Sequence, residues 1–559
     1  MRPHDYVLAL LSALFFFSLA LWAISFGHPH EDAYILYIYS EQLANTGSIS
    51  YFAGGPHAEG ATDFLWMLAL SFLNLAGLNS AVAATILNAI GVFLINCIVS
   101  AEMRRYGDDR VSNLVLAAFV PLFSVSQAAI AGFSTSLYAA LCLLLFFGVY
   151  RWSPDRLKLV PLLSIGLGLF RPDGVILGVT ATAIGLAVVR SEFRVPYLRN
   201  TLIASAIGAA YFLWRYAYFG ELLPLPLYVK SDVKYAHPGL APNLEWLEAN
   251  GTLAVGFLCS ILLIKDRKRY LLATLPAVAL LAALTFAYQI QNVAYRFQAP
   301  ASIVLLFGSA ISLAIAWDAA WRRELALRLV LVAGIVVSLA LPFWNNYRST
   351  IALLAYLTND DYANFLPYYL RPSVSRKTKI ALTEAGRLAY WLDGEKYDLV
   401  GLNTREPAKF GATPQQLEKL DPDLIFIHTA GTFLLECEQG NYCEVSIDEI
   451  LKDIKARKMP NYARVSNRVL RAPLAACEYI GRRSGDYRIY LVRYGGSFVH
   501  LYALRKTGSV SSEEFRRALD KAFDPQMRLS YLGMIEAGRV GLQGSGRVVM
   551  QPGSVRITE

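Results

Sequence analysis

Residues 6–32 read YVLALLSALFFFSLALWAISFGHPHED, an apolar run from Tyr6 to Phe26 without a charge, closed by Gly27 and followed at once by two acids. As a helix, the run is about 32 Å long at 1.5 Å per residue, enough for a hydrocarbon core of about 30 Å. It has the position of a signal peptide, but no small-x-small cleavage site follows it, so it is read as a retained helix. Similar blocks recur at 81–101, 112–130, 134–150, 158–170, 174–190, 200–219, 251–264, 270–289, 300–317 and 326–342. The expectation is therefore an α-helical polytopic membrane protein with about eleven transmembrane helices. The block at 63–79 is read as an interfacial or re-entrant segment, because counting it as a crossing disrupts the charge alternation that follows.

Composition agrees. The 559 residues are 55% hydrophobic and 17% charged, against about 25% charged in a soluble protein. The deficit is confined to the part before residue 342. The expected division is a membrane domain over 1–342 and a soluble extracytoplasmic (periplasmic) domain over 343–559. A net charge of +9 does not indicate nucleic-acid binding here, since Lys and Arg collect in cytoplasmic loops during insertion. One set of loops holds Arg2, Arg104, Arg105, Arg110, Arg151, Arg156, Lys158, Arg190, Arg194, Arg199, Lys265, Arg267, Lys268, Arg269, Arg322, Arg323 and Arg328. The opposite set holds only Arg171, Lys230, Lys234 and Arg296, and 27–80 contains no Lys or Arg. This asymmetry places the N-terminus in the cytoplasm and everything after Pro342 outside, as expected of a bacterial inner-membrane protein.

Polar residues that could do chemistry cluster at the outer helix ends. The first outer loop opens with Glu31 and Asp32, continues through an aromatic run (Tyr34, Tyr37, Tyr39), and carries Glu59. Carboxylates beside a membrane are costly unless solvated or used. A solvated capping loop is the plain reading, and two adjacent acids with no basic neighbour argue against it. Between the blocks ending at Phe170 and starting at Gly174 stands Arg171-Pro172-Asp173, either a satisfied Arg–Asp turn or part of a site. Lys230 follows the Pro224-Leu225-Pro226 loop, Arg296 precedes the 300–317 block, and Arg215 lies a turn inside the outer end of its helix. Each alone suits snorkelling to lipid phosphate; together they stand where a lipid-borne phosphate would lie, with Arg able to grip its oxygens through two donors. The H-x-H-E-D segment from His28 to Asp32, with His57 nearby, also offers ligands to a divalent cation but has no confirming fourth position.

The pair Glu31-Asp32, the Asn45-Thr46-Gly47 helix end, Glu59-Gly60-Ala61-Thr62 before Trp66, Arg171-Pro172-Asp173-Gly174, the Pro224 to Lys230 loop and Tyr295-Arg296 together resemble the GT-C superfamily of polyprenyl-phosphate-sugar glycosyltransferases. Within it the chain is similar to mycobacterial arabinofuranosyltransferases and related bacterial enzymes, over most of 1–345. Relatives often carry Asp-Asp where this chain has Glu31-Asp32, and Pro-Asn-Thr where it has Pro224-Leu225-Pro226. The resemblance implies inverting transfer from a polyprenyl-phosphate-linked sugar to a hydroxyl of a cell-envelope glycan or glycolipid. In that reading Asp32 is the base with Glu31 as partner or substitute, and Arg171, Lys230, Arg296 and Arg215 hold phosphate. Glu59 and Asp173 join them as substrate-binding residues, and no cofactor is required. The rival reading is a lipid or glycolipid transporter or flippase, which would more often show internal repeats and ionisable residues at the midplane; neither is apparent.

Beyond 342, short apolar runs (Asp423–His428, Tyr487–Arg493) alternate with polar helical segments such as Ser512–Phe523, which predicts an α/β or α+β domain. No phosphate-loop or dinucleotide fingerprint is present. Cys437 and Cys443 are either free or bridged, with Cys477 left over.

Overall fold

The computed structural model describes residues 2–106, 110–151, 153–231, 239–289, 291–321, 324–429, 431–494, 499–538, 540–543 and 546–549. Lys234, Arg322 and Arg323, counted above among the orienting cations, lie outside these residues. The N-terminal part is helical throughout: α1 (Pro3–Phe26), α2 (Ala33–Thr46), α3 (Phe64–Leu75), α4 (Ser80–Met103), α5 (Arg110–Phe119), α6 (Ser124–Ile130), α7 (Thr135–Tyr150), α8 (Pro154–Phe170), α9 (Gly174–Val188), α10 (Arg194–Phe219), α11 (Leu225–Ser231), α12 (Leu240–Ala249), α13 (Gly251–Leu263), α14 (Arg267–Thr285), α15 (Ala299–Trp321) and α16 (Leu325–Leu357).

By length and hydropathy, four helices among the described residues are able to cross a membrane alone: α1, α4, α14 and the segment containing α15. The number becomes six if α5–α6, bent by 41°, and α12–α13, bent by 78°, each count as one crossing. The others are short or carry polar residues. Helix α7, with 16 residues, is buried almost all round, as expected of a helix at the centre of a bundle. Helix α3 has 12 residues, about 18 Å, too short to cross. It lies against α2 with Phe72 and Leu75 exposed, in keeping with an interfacial segment. Helix α16 has 33 residues and continues through Pro342 to Leu357, so residue 342 falls inside a helix and not at a domain edge.

The two ends of the bundle differ. At one end Arg104 pairs with Asp5, and Arg151 with Glu102. Tyr106 and Tyr150 share a hydrogen bond of 2.7 Å, and the Asn200 amide donates to the Lys158 carbonyl at 2.8 Å. Arg104, Arg151 and Lys158, all from the cation-rich set of loops, meet here. The other end carries the turns after α1, α8, α10 and α14, and the C-terminal domain sits on it.

That domain is built on a six-stranded mixed sheet of β1 (Lys379–Leu382), β2 (Glu395–Asp398), β3 (Leu424–His428), β4 (Tyr442–Val445), β5 (Tyr487–Arg493) and β6 (Val499–Arg505), in the order β2-β1-β3-β6-β5-β4. Strand β1 is parallel to both β2 and β3; the remaining pairs are antiparallel. Alternation along the strands divides the sheet's two faces. Ile425, Ile427, Leu491 and Leu501 pack under the helices Ile447–Ala456 and Arg468–Arg482. Leu424, Phe426, Tyr490 and Tyr502 belong to the same continuous apolar core as α1, α2 and α7. The sheet's second face is therefore covered partly by the membrane half of the chain, which seats the domain firmly on the bundle. Cys437 and Cys443 form a disulfide, and Cys477 is buried and free.

Candidate active site

The turn that follows α1 is held on both sides. The His28 amide donates to the Leu357 carbonyl at the end of α16 (2.8 Å), and the His30 amide to the Ala131 carbonyl after α6 (3.0 Å). So fixed, the chain turns into α2 at Asp32, and the two acids diverge. Asp32 faces a cavity of about 300 Å³ at the domain-bearing end of the bundle. Glu31 faces away: its carboxylate accepts hydrogen bonds from the backbone N–H groups of Gly386 (2.5 Å) and Arg387 (3.3 Å) in the C-terminal domain. At Gly386 a Cβ would lie 1.9 Å from the Glu31 carbonyl oxygen, so only glycine permits this approach. Glu31 is thus removed from the acids that face the cavity. Burial, then the charges of Glu384 and Asp32, hold its carboxyl well above the ordinary carboxylate range.

The cavity gathers Asp32, Arg171, Asp173, Lys230 and Arg296, and adds Asp63. Arg296 donates to the Asp32 carboxylate at 2.9 Å and lies 3.8 Å above the Phe133 ring centre. It follows Ala294 and Tyr295, which adopt positive φ of 48° and 57°. Left-handed backbone at non-glycine residues costs roughly 1 kcal/mol each and persists where surrounding structure imposes it; here it swings Arg296 inward ahead of α15. Burial alone raises the Asp32 carboxyl, but the adjacent Arg296 guanidinium, helped by His30 and Lys230, brings it below the ordinary value, so the group is ionised.

Arg171 ends α8, where Gly174 lets α9 fold back: a Cβ there would lie 2.2 Å from the Leu167 carbonyl oxygen. Its guanidinium binds Asp173 at 3.0 Å and reaches Asp63 at 3.9 Å, and Asp63 is anchored by the Ser134 hydroxyl at 2.6 Å. Lys230, on α11, makes no ion pair among the described residues; its ammonium stands 4.9 Å from the Phe297 ring centre. Burial, then the nearby Arg296 charge, lower its pKa to about 8. Val400, Leu402 and Val469 of the C-terminal domain roof the space. The roof loop is fixed by Asp398, whose carboxylate accepts from the N–H groups of Val400 (2.9 Å), Gly401 (3.2 Å) and Asn403 (2.8 Å).

Glu59 and Arg215 lie elsewhere. They pair with each other at 2.5 Å, both buried, and Arg215 also donates to the carbonyls of Glu221 (3.1 Å) and Leu222 (2.8 Å). This clasp holds the loop leading to Pro224 and α11, and neither residue lines the Asp32 cavity. The three histidines His28, His30 and His57 each pack on a different ring and do not come together as one ligand set. His57 stacks on Tyr218 at 3.9 Å, His28 packs on Phe365, and His30 lies between Phe133 and Tyr356 while its Nδ1 accepts the Asp32 N–H at 3.3 Å. Asp63 is the cavity residue that sequence reasoning passed over. The available signal was an acid directly ahead of an apolar helix, with Ser134 as a partner far off in sequence.

A family model described as a domain of unknown function (DUF8728) matches residues 356–490. No curated protein sequence matches. Similar solved structures include ArnT from Cupriavidus metallidurans in the apo state, at 13% identity and a TM-score of 0.47, covering 76% of this chain and 93% of that one. The same protein bound to undecaprenyl phosphate is similar at 13% identity and a TM-score of 0.48, covering 77% and 94%.

Proposed function

We propose that the protein is a multi-pass inner-membrane glycosyltransferase of the GT-C type, moving a sugar from a polyprenyl-phosphate carrier to an acceptor hydroxyl. The observation that carries this reading is an ionised carboxylate, Asp32, sharing one cavity with three cations, Arg171, Lys230 and Arg296, at the domain-bearing end of an apolar bundle. The resemblance of the sequence to GT-C enzymes over the same residues supports it.

In the proposed reaction the acceptor oxygen attacks the anomeric carbon and Asp32 takes the hydroxyl proton. The bond from that carbon to the phosphate oxygen breaks, and polyprenyl phosphate leaves with the electron pair. One displacement inverts the anomeric centre without a covalent enzyme intermediate. Negative charge grows on the departing phosphate, where preorganised cations in a poorly hydrated cavity are most effective. Arg171 and Arg296 each hold a carboxylate in the resting state, so an arriving phosphate would share donors already in place. Releasing Arg296 from Asp32 would return the carboxylate's proton affinity toward that of a useful base. The sorting of Lys and Arg between the two sets of loops supports an outward-facing cavity.

The test is incubation of purified protein with candidate polyprenyl-phosphate sugars, a pentose first because of the arabinofuranosyltransferase-like sequence, and detection of released polyprenyl phosphate. Release that depends on an acceptor supports transfer. Absence of release with every donor, together with vesicle-to-vesicle lipid movement, would favour the transporter reading.

A further inference from the structure

We propose that the C-terminal domain carries a divalent transition-metal site, formed by Glu384, His428 and His500, that fastens the three strand ends above the first outer loop. A ring nitrogen from each histidine and a carboxylate oxygen of Glu384 all lie within 4.8 Å of one another, and His428 Nε2 is 4.0 Å from Glu384 Oε1. Ligands around a tetrahedral zinc at about 2.1 Å lie roughly 3.4 Å apart, so contraction of about an ångström would close the set.

The placement follows from the sheet. His428 ends β3 and pairs across the antiparallel ladder with His500 at the start of β6, which brings both rings to one face. Glu384 follows the parallel neighbour β1, and the Thr383 hydroxyl accepts the His428 N–H at 2.8 Å. An independent observation points to a ligand. His500 is fully buried; its Nδ1 is hydrogen-bonded to the Tyr362 hydroxyl at 2.7 Å, yet its Nε2 has no hydrogen-bond partner. A buried ring nitrogen left in this way costs about 1–3 kcal/mol. The arrangement is that of a metal-ligating imidazole, whose second nitrogen is oriented by an outer hydrogen bond. Tyr494 stacks on the same ring at 4.0 Å and limits its rotation.

The charge balance also favours a cation. Around the site Glu384 and Asp361 face one guanidinium, Arg387. Arg387 is directed in part at the Asn364 amide oxygen (2.5 Å). Two nitrogens and one oxygen suit zinc, cobalt or nickel and disfavour calcium and magnesium; water completes the shell. Glu384 lies two residues before Gly386, which grips Glu31, so the metal would stiffen the loop that docks the domain onto the membrane half. The site is separate from the Asp32 cavity and does not depend on the transferase reading.

The experiment uses full-length protein in detergent, stripped with chelator and titrated with Co²⁺ and then Zn²⁺. The expected result is one metal per chain with a micromolar or tighter Kd, a visible cobalt absorption band displaced by zinc, and a raised melting temperature. The double variant Glu384→Gln/His428→Ala, at two partly exposed positions, should bind at least a hundredfold more weakly while melting like the metal-free wild type. Failure of the wild type to bind stoichiometrically, or undiminished binding by the double variant, overturns the site. The wild-type titration decides the matter even if the variant does not fold.

Discussion

Lys230 lacks an ion-pair partner among the described residues, and burial with the Arg296 charge lowers its pKa to about 8. If it binds the donor phosphate, affinity should follow its protonation. Between pH 7 and pH 9 the charged fraction at a pKa of about 8 falls from roughly 0.9 to roughly 0.1, about a tenfold loss. A donor phosphodiester does not titrate in this range, so the slope belongs to the protein. The sign is fixed: only the ammonium attracts phosphate, so binding weakens as pH rises through 8. The assay is equilibrium binding of a polyprenyl-phosphate sugar to detergent-purified protein at pH 7, 8 and 9. Lys230→Met should bind weakly at every pH and lose the slope. Lys230→Arg, charged at every pH tested, should keep binding and also lose the slope. Wild-type affinity constant within twofold from pH 7 to 9, or a slope that survives in Lys230→Met, refutes the assignment.

Other expectations follow from the same geometry. Asp32→Asn should lower transfer by about 10²–10⁴-fold while donor binding, measured separately, changes little; near-normal turnover would remove Asp32 as the base. Arg215→Met leaves Glu59 buried without its partner, a defect of roughly 3–5 kcal/mol, so thermal unfolding in detergent should fall by several degrees with turnover at low temperature preserved; an unchanged melting temperature would contradict the clasp. Glu31→Gln should retain turnover and docking, since an amide oxygen can still accept from Gly386, whereas Glu31→Ala should expose residues 383–387 to protease. Because the Glu31 carboxyl is held above its ordinary value, the folded state binds its proton more tightly than the unfolded chain, and its contribution to stability declines as pH rises above that value. Glu31→Gln should remove this part of the pH dependence of melting above the ordinary carboxylate range.

Helices and site residues were legible in the sequence to different degrees, for physical reasons. The apolar blocks were easy to recognise because a crossing segment must hide its own backbone polar groups and carry almost no charge. Pro342 was misleading as a boundary: proline usually ends a helix, but α16 continues past it, with the Asn346 side chain donating to the Pro342 carbonyl at 2.9 Å. Strands β3 and β5 and the helix Ser512–Phe523 followed from local pattern. The roof loop at 399–403 carries no pattern that marks it, because its position over the cavity depends on contacts far from it in sequence. Charge type and proximity to a helix end identified Arg171, Lys230 and Arg296, but those criteria equally selected Arg215, whose carboxylate partner Glu59 lies over 150 residues earlier in the chain.

The divergence of Glu31 and Asp32 shows why the pair could not be resolved from sequence. Successive residues entering a helix point about 100° apart, so adjacent acids need not share a surface. Here the turn is fixed from two sides, by Leu357 and Ala131, and that orientation commits one acid to each domain. Asp32 meets a guanidinium and stays ionised; Glu31 meets two backbone N–H groups and other acids, and is driven toward its neutral form. The same two-residue turn therefore joins the proposed reaction centre to the seat of the C-terminal domain, whose Val400 and Leu402 close the cavity. A small tilt of that domain, transmitted through Gly386 and Glu31, would change the aim of Asp32 directly. This covalent adjacency is a physical route by which the seating of the C-terminal domain reaches Asp32.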